Sequence, residues 1–560
     1  MTFKLTRRSL MAAMPAMASV GVLAGCGGGD GAAAVSAEDT ALKFDASTYT
    51  TVNVTLDGVA LKLRQYRRVY VAKPVKMATT LTTFNTTTLA DPYAMQTMVI
   101  SVAEALVNDQ TKPIYMVVNN AGWFASPVST TVTEGAAFVS TSDTDAMGAA
   151  LKAGYVVVNL GTRSRGARAE DGRWAGKAPA PVVDTKAAIR YLRLNDSLLP
   201  GSTSRIILTG TSGGGGLTSA VAASGNSADF LPYLAEIGAA GVSGSGSTAT
   251  STLKDDVFAA VAYCPINNLG NADAGYEWEY NATRTDSNTG ALNSVAYSAG
   301  PQVAASTAIA ASFPAYLNGL GLTREDGSAL SDANLRDATM ALVKKEIEAQ
   351  IAKGTAVPAL GANFSVSGVA YLNDWLTLAG TGTSATVASI DYAKYLAFVT
   401  KIRALKTVVA FDAVGVTGNP NISGESTLFG SDYYSYSNFT AWSWANNAVK
   451  GDGSGVDDTG LAWDAYLASS TSKLATQLKL INPMAYLNTT ADTAPYWYVR
   501  HGMIDRDTAF AMQTLLYYAI KKDASVKEVD FKYPYLVPHS GNYDVQEAFT
   551  WIKAKLAANP

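Results

Sequence analysis

Residues 205–216 read RIILTGTSGGGG, a run of aliphatic residues followed at once by a glycine cluster that holds one serine, Ser212. Two chemistries use such a stretch. A phosphate-binding loop of the Walker type needs a lysine and then Ser or Thr after its last glycine, because the ammonium reaches the phosphates. Leu217 and Thr218 follow here instead. A dinucleotide fingerprint opens the first strand–helix unit of its fold, and this stretch comes after several strand-like runs. The remaining reading is a nucleophile elbow, Gly-x-Ser-x-Gly between a buried strand and a helix. Gly210, Ser212 and Gly214 fit it. The elbow lifts Ser212 above the sheet at a helix N-terminus, where the Gly213 N–H faces the oxyanion of an attacked carbonyl.

The rhythm around the elbow sets the fold class. Residues 51–74, TVNVTLDGVALKLRQYRRVYVAKP, alternate as strands. Residues 114–120 (IYMVVNN) and 155–161 (YVVVNLG) are short apolar runs of the kind found in buried parallel strands. Residues 184–196 have helical spacing, and the LTSAVAAS run after the glycines continues as helix. Strands alternating with helices predict an α/β fold with a parallel sheet. The rhythm stops near residue 270. It returns with YWYVRHG (496–502), a helix over 508–522, a strand over 526–534 and a helix over 544–556. The expected organisation is a core over 43–269, an inserted cap over 270–480 and the rest of the core over 481–560. The cap includes a helix over 337–353, and residues 241–252 (GVSGSGSTATST) read as a flexible loop.

Composition bounds the function. The chain has 560 residues, 48% hydrophobic and 16% charged, enough for a large core. A net charge of −3 argues against nucleic acid as the main partner, since phosphate binding needs surplus Lys and Arg. The N-terminus reads as a targeting segment: TRRSLMAAMPAMASVGVLAGC pairs Arg7 and Arg8 ahead of an apolar run that ends at Cys26. The arginine pair resembles a twin-arginine export signal, and the LAGC box resembles a lipoprotein cleavage site with Cys26 as the lipidated residue. Residues 1–26 would then be the signal and 27–42 a small-residue tether. The mature protein would be lipid-anchored to a membrane in the periplasm or at the cell surface, with Gly27 favouring the outer membrane. Nothing after the signal is apolar for long enough to span a bilayer. The second cysteine, Cys264, reads as an inert buried thiol.

An elbow demands a histidine, and the chain has two, His501 and His539. In proteins built on such an elbow the order is serine, acid, histidine. His539, in the loop before the last helix, fits as general base, and Asp505 in RHGMIDRDTAF fits as the acid that holds the imidazole tautomer. His501 is the alternative base and Asp507 the alternative acid.

With these motifs in place, the chain resembles the bacterial tannases, tannin acyl hydrolases of the α/β-hydrolase fold. The similarity runs from about residue 47 to the C-terminus, through GYVVVNLGTRSRG, GKAPAPVVDTKAAIRYLRLND, GTSGGGG, VAYCPINNLGNADAGYEWEYN, LKTVVAFD, STLFG, INPMAYL, RHGMIDRDTAF and VPHSGNYD. It implies a catalytic Ser212, Asp505 and His539, and oxyanion donors at the N–H groups of Gly213 and Gly122. It also implies a galloyl-hydroxyl clamp made by Lys406, Glu425 and Asp507, with no cofactor and no metal. The expected partner is a small phenolic ester whose hydrolysis passes through an acyl-enzyme and releases gallic acid. The family usually has alanine where this chain has Gly213, an exchange expected to loosen the elbow, and the spacing from Lys406 to Glu425 is longer than usual. Two other classes stay open: a different aromatic esterase of the feruloyl or chlorogenate type, and a lipid-anchored phenolic-binding protein without catalysis.

Overall fold

Ten strands make one sheet, here labelled in chain order: β1 (Thr50–Leu56), β2 (Val59–Val69), β3 (Thr97–Ala103), β4 (Pro113–Val118), β5 (Ala137–Phe138), β6 (Val156–Leu160), β7 (Ser202–Thr211), β8 (Ala259–Tyr263), β9 (Tyr496–Arg500) and β10 (Glu528–Lys532). Their order across the sheet is β10-β9-β8-β7-β4-β6-β3-β2-β1-β5. The six from β10 to β6 are parallel. β3, β2 and β1 continue the sheet as antiparallel neighbours. The computed structural model describes residues 36–81, 87–285, 302–412, 424–446, 461–470 and 472–559. The expected signal 1–26 with Cys26, and residues 27–35 of the expected tether, lie outside these.

The central strands are largely apolar where helices cover both faces. β6 and β8 are buried along their whole length, and β7 buries the run Ile206–Gly210. One face packs on helices Ala180–Leu194 and Gly213–Ala223, and the other on helices Ala146–Lys152 and Val545–Ala557. No helix among the described residues is long and apolar enough to cross a membrane.

Between β8 and β9 the described residues add no strand to this sheet. Helix Leu269–Tyr280 leaves the core with helix Phe510–Lys522 packed against it: Glu279 Oε2 accepts from the Ala511 N–H at 3.0 Å, and Oε1 accepts from Tyr392 Oη at 2.6 Å. The expected boundary at 270 falls inside the first turn of this helix. The intervening region holds helices Leu335–Ala352 and Tyr392–Ile402. It also holds two small hairpins, Asn363–Val366 with Val369–Leu372 and Leu376–Ala379 with Thr386–Ile390.

Two local expectations need correction. Residues 36–42 are not a free tether. Ala37–Ala41 is helical, Leu42 and Phe44 are buried in the core, and Asp39 Oδ1 accepts from the Gly241 N–H at 2.7 Å. Small residues suggested slack, but Leu42 and Phe44 have apolar surface to bury. Residues 241–252 are not a structureless loop either: Val242–Ser243 pairs with Thr250–Ser251, and Arg190 Nη1 donates to Ser251 Oγ at 2.6 Å. Gly and Ser permitted a tight turn there, and the hairpin supplied its bonds.

Candidate active site

The site lies on loops at the carboxyl ends of neighbouring parallel strands, where open α/β sheets place their ligands. Ser212 follows β7, Cys264 follows β8, Asp505 follows β9, His539 follows β10, Gly122 follows β4 and Arg165 follows β6. Adjacent strands therefore deliver residues more than three hundred positions apart to one spot.

Ser212 sits at φ 62°, ψ −123°, a conformation that costs a non-glycine residue about 1–3 kcal/mol and holds the hydroxyl up at the turn. Its N–H donates to the Tyr263 carbonyl at 2.9 Å, and its own carbonyl accepts from the N–H groups of Gly216 and Ile266. These bonds lock the strained turn. The glycines are needed for close approach, as the helix runs against other backbone. A Cβ at Gly216 would lie 2.0 Å from the Ile266 carbonyl oxygen.

Gly213 corrects an expectation. A Cβ there would lie 2.1 Å from the Trp123 nitrogen and 2.3 Å from the Asn120 carbonyl oxygen. The loop carrying Gly122 presses directly on it, so glycine makes the contact tight and does not loosen the elbow. Gly122 itself is left-handed, at φ 55° and ψ 27°. The Gly213 N–H opens helix Gly213–Ala223, where the first amides have no carbonyl one turn back. Gly213→Ala should displace the Gly122 loop. The expected result is a lower Tm, by an overpacking cost of about 1–3 kcal/mol, and a kcat reduced up to about 10²-fold. Thermal melts and kinetics of the variant check this, and parental values for both would contradict the packing argument.

His539 Nε2 lies 2.9 Å from Ser212 Oγ, and Nδ1 lies 2.8 Å from Asp505 Oδ2. A carboxylate only accepts, so Nδ1 carries the proton and Nε2 is left to accept from the serine hydroxyl. Asp505 is fully buried, and burial works against its ionised form. The imidazoles of His501 and His539 and the Asp507 N–H outweigh burial and hold its carboxyl below the usual range. Burial also works to lower the His539 pKa. The bond and charge of Asp505, together with the neighbouring Cys264 sulfur, push it above the usual histidine range. Burial pushes the Cys264 thiol up, so this thiol stays protonated near neutral pH and Asp505 is the main source of the His539 shift. Cys264, expected to be an inert buried thiol, is buried and lies 3.9 Å from His539 Nε2.

The other histidine does not face the serine. His501 is completely buried against Phe510 and Tyr533. Its Nδ1 is 3.4 Å from Asp505 Oδ2 and its Nε2 3.2 Å from the Asp505 carbonyl oxygen. It braces the acid. Asp507, the alternative acid, has its carboxylate 3.8 Å from His539 Nδ1, a full ångström beyond Asp505. Cys264, Asp505 and His539 offer ligand atoms within 4.8 Å of one another. The hydrogen bonds of His539 with Asp505 and Ser212 already occupy both of its ring nitrogens.

The cap brings up a second cluster. Asp273, on helix Leu269–Tyr280, accepts from the N–H groups of Phe411 and Asp412, both at 2.8 Å. Asp412 in turn accepts from the N–H groups of Phe439 and Thr440. Tyr276 Oη accepts from the Lys406 N–H at 3.2 Å, and Arg284 Nη1 donates to the Lys406 carbonyl at 2.7 Å. The Glu425 N–H donates to the Phe411 carbonyl at 2.9 Å. These bonds fix Lys406 and Glu425 relative to helix Leu269–Tyr280. Burial lowers the Lys406 pKa, and the Glu425 and Asp507 carboxylates oppose that shift. Lys406 Nζ rests 4.2 Å from the Phe411 ring centroid. Asp507 accepts from Arg403 Nη1 at 2.8 Å and from Arg506 Nη1 at 2.5 Å. Glu425 meets Arg165 Nη1 at 3.5 Å.

Sequence reading brought Ser212, Asp505, His539, Lys406, Glu425 and Asp507 forward, and the fold gathers them. It missed Arg165, Arg403, Arg506 and the bracing role of His501. Arg506 stands between the two aspartates, which was a signal in plain view. Arg165 and Arg403 become neighbours of the site only through the fold.

A strained serine on an elbow, a histidine bonded to it and a buried acid behind, all at the carboxyl edge of this sheet, define an α/β-hydrolase acting on carboxylic esters. The BD-FAE family model matches residues 108–294. No curated protein matches the chain in sequence. A solved structure of tannin acyl hydrolase in complex with ethyl gallate is 31% identical, covering 92% of this chain and 98% of that one, with a TM-score of 0.69. The native tannin acyl hydrolase from Lactobacillus plantarum is 30% identical over 92% and 98%, TM-score 0.68. The tannase from Fusobacterium nucleatum is 28% identical over 92% and 99%, TM-score 0.68. The chain belongs to the bacterial tannase family and is a carboxylic ester hydrolase.

Proposed function

We propose that this protein hydrolyses galloyl esters through an acyl-enzyme. Ser212 Oγ attacks the ester carbonyl as His539 Nε2 takes its proton, and the N–H groups of Gly213 and Gly122 receive the oxyanion. The alcohol leaves with the proton returned by His539, and water then releases gallic acid by the same steps. The observation that carries the substrate class is the cluster of Lys406, Glu425 and Asp507 beside this relay. Carboxylates accept hydrogen bonds from phenolic hydroxyls and an ammonium donates to their oxygens. A site built of such groups rejects rings that lack hydroxyls, because its own polar groups then go unpaired. A solved relative holds ethyl gallate, which supports the same reading.

The test is the ratio of kcat/KM for methyl gallate over methyl benzoate. It should be large in the parent. Asp507→Asn should lower it by about 10- to 150-fold, the value of one charge-assisted hydrogen bond of roughly 1.5–3 kcal/mol. The arginines on Asp507 leave it lone pairs for a hydroxyl, since a carboxylate has about four acceptor sites. A ratio near one in the parent would favour a general aromatic esterase.

For location, the proposal is export with lipid on Cys26 and attachment to a membrane, the outer membrane favoured by Gly27. The LAGC box after the apolar run supports it. Cys26→Ser should abolish lipid labelling and membrane fractionation. Parental protein found soluble and unlipidated in the cytoplasm would overturn it.

A further inference from the structure

Arg165 belongs to no part of the relay, yet it stands between the two halves of the site. Its backbone pairs with Phe124 in a parallel bridge, and its carbonyl accepts from the Ala125 N–H at 2.9 Å, directly after the loop that carries Gly122. Its guanidinium lies 3.8 Å over the Phe124 ring. The side chain is 6% exposed, and its Nη1 is 3.5 Å from Glu425 Oε1, itself on a side chain 9% exposed. Nε and Nη1 have no hydrogen-bond acceptor among the described residues. A buried charge with unsatisfied donors is costly unless something completes it.

We propose that Arg165 is a positioning residue for substrate specificity: it holds the Glu425 carboxylate against the aromatic ring of the ester and ties that carboxylate to the oxyanion loop. This rests on the galloyl-ester reading above. The guanidinium keeps its charge when buried, and its planar fork stacks on Phe124 while facing a carboxylate, neither of which an ammonium reproduces. Two core backbone N–H groups and one lysine side chain fix the other side of the Glu425 turn. The Ala178 N–H donates to the Leu428 carbonyl at 2.8 Å and the Trp174 N–H to the Asp432 carbonyl at 2.7 Å, while Lys177 Nζ donates to the carbonyls of Thr427 and Ser435. The turn is thus docked by its backbone, and Arg165 is the cation that meets its carboxylate from the core. The ring hydroxyls of a bound gallate would lie against a carboxylate whose place is set by a residue bridged to the loop that receives the ester oxyanion. Both ends of the substrate would then be measured from two loops joined at Phe124 and Arg165.

The experiment is steady-state kinetics of the parent, Arg165→Met, Arg165→Lys, Glu425→Gln and the double variants on methyl gallate and methyl benzoate, with thermal melts. Arg165→Met should lower the gallate-over-benzoate ratio about tenfold or more, mainly through a raised gallate KM. Arg165→Lys, which keeps the charge without the fork, should recover part of it. Adding Arg165→Met to Glu425→Gln should lower the ratio little further, because Arg165 acts through Glu425. If Arg165→Met does not fold, Arg165→Lys with Glu425→Gln carries the same cycle. Equal losses on both esters, or effects of the two sites that multiply, would overturn the inference. A parent that does not prefer gallate sinks the galloyl reading itself. A parent that prefers gallate while the Arg165 variants keep its ratio sinks only the role of Arg165.

Discussion

Ser212→Ala is expected to leave a folded protein whose ester hydrolysis falls by about 10⁵- to 10⁶-fold, because the attacking oxygen is gone while the oxyanion donors remain. The exchange removes one hydroxyl from a half-buried residue whose turn is held by backbone bonds, so the melting temperature should stay close to the parent's. His539→Ala should fall comparably, since Nε2 is the atom that meets Ser212 Oγ. The double variant should be little worse than either single one, as groups that act as a unit do not add. His501→Ala separates the two histidines. It should reduce activity less than His539→Ala, since His501 faces Asp505 and not Ser212. Initial rates on methyl gallate with active-site titration decide it. A larger loss at His501, or most activity retained without Ser212, would break the relay as drawn.

The second large effect is at Asp505. Asp505→Asn keeps the shape, but it can present a donor to Nδ1 and turn the imidazole to the wrong tautomer. The expected fall in kcat is about 10⁴-fold. The pH profile should move as well. The base works only when unprotonated, so activity is lost as pH falls through the His539 pKa. Burial lowers that pKa and Asp505 more than restores it. Removing the carboxylate charge lowers it, and the acid limb of kcat/KM should shift to lower pH even as the plateau drops. A profile that keeps its acid limb in place, or moves it upward, would show that Asp505 does not set the charge on His539.

The two effects differ in how far the sequence could foresee them. Ser212 was legible because an elbow is local: a strand, a tight turn with glycines and a helix follow one another without a break from Ser202 to Ala223. His539 was legible because only two histidines compete. His501 could be read as a possible base but not as a brace, since its role depends on the 3.4 Å approach of its ring to Asp505 across a turn. Cys264 was read as buried, which it is, but its place beside His539 follows from the loop after β10 lying over the end of β8, where Cys264 Sγ donates to the Ser540 carbonyl at 3.3 Å. Residues 36–42 of the expected tether and the 241–252 segment were misread because small residues look the same in a slack linker and in a packed turn.

By itself, the sequence determined the alternation that makes a parallel sheet, the elbow, the order serine–acid–histidine, and the family. Those are patterns of short period or of chain order, and solvent exclusion acts on them residue by residue. Only the tertiary structure decided why Gly213 must lack a side chain, which cations meet Glu425 and Asp507, and how Asp273 ties residues 411–412 to the helix that leaves the core. Each depends on backbone segments brought within a few ångströms from distant parts of the chain. Contacts of that kind are fixed by packing and by the need to pair buried charge, and a linear pattern does not carry them.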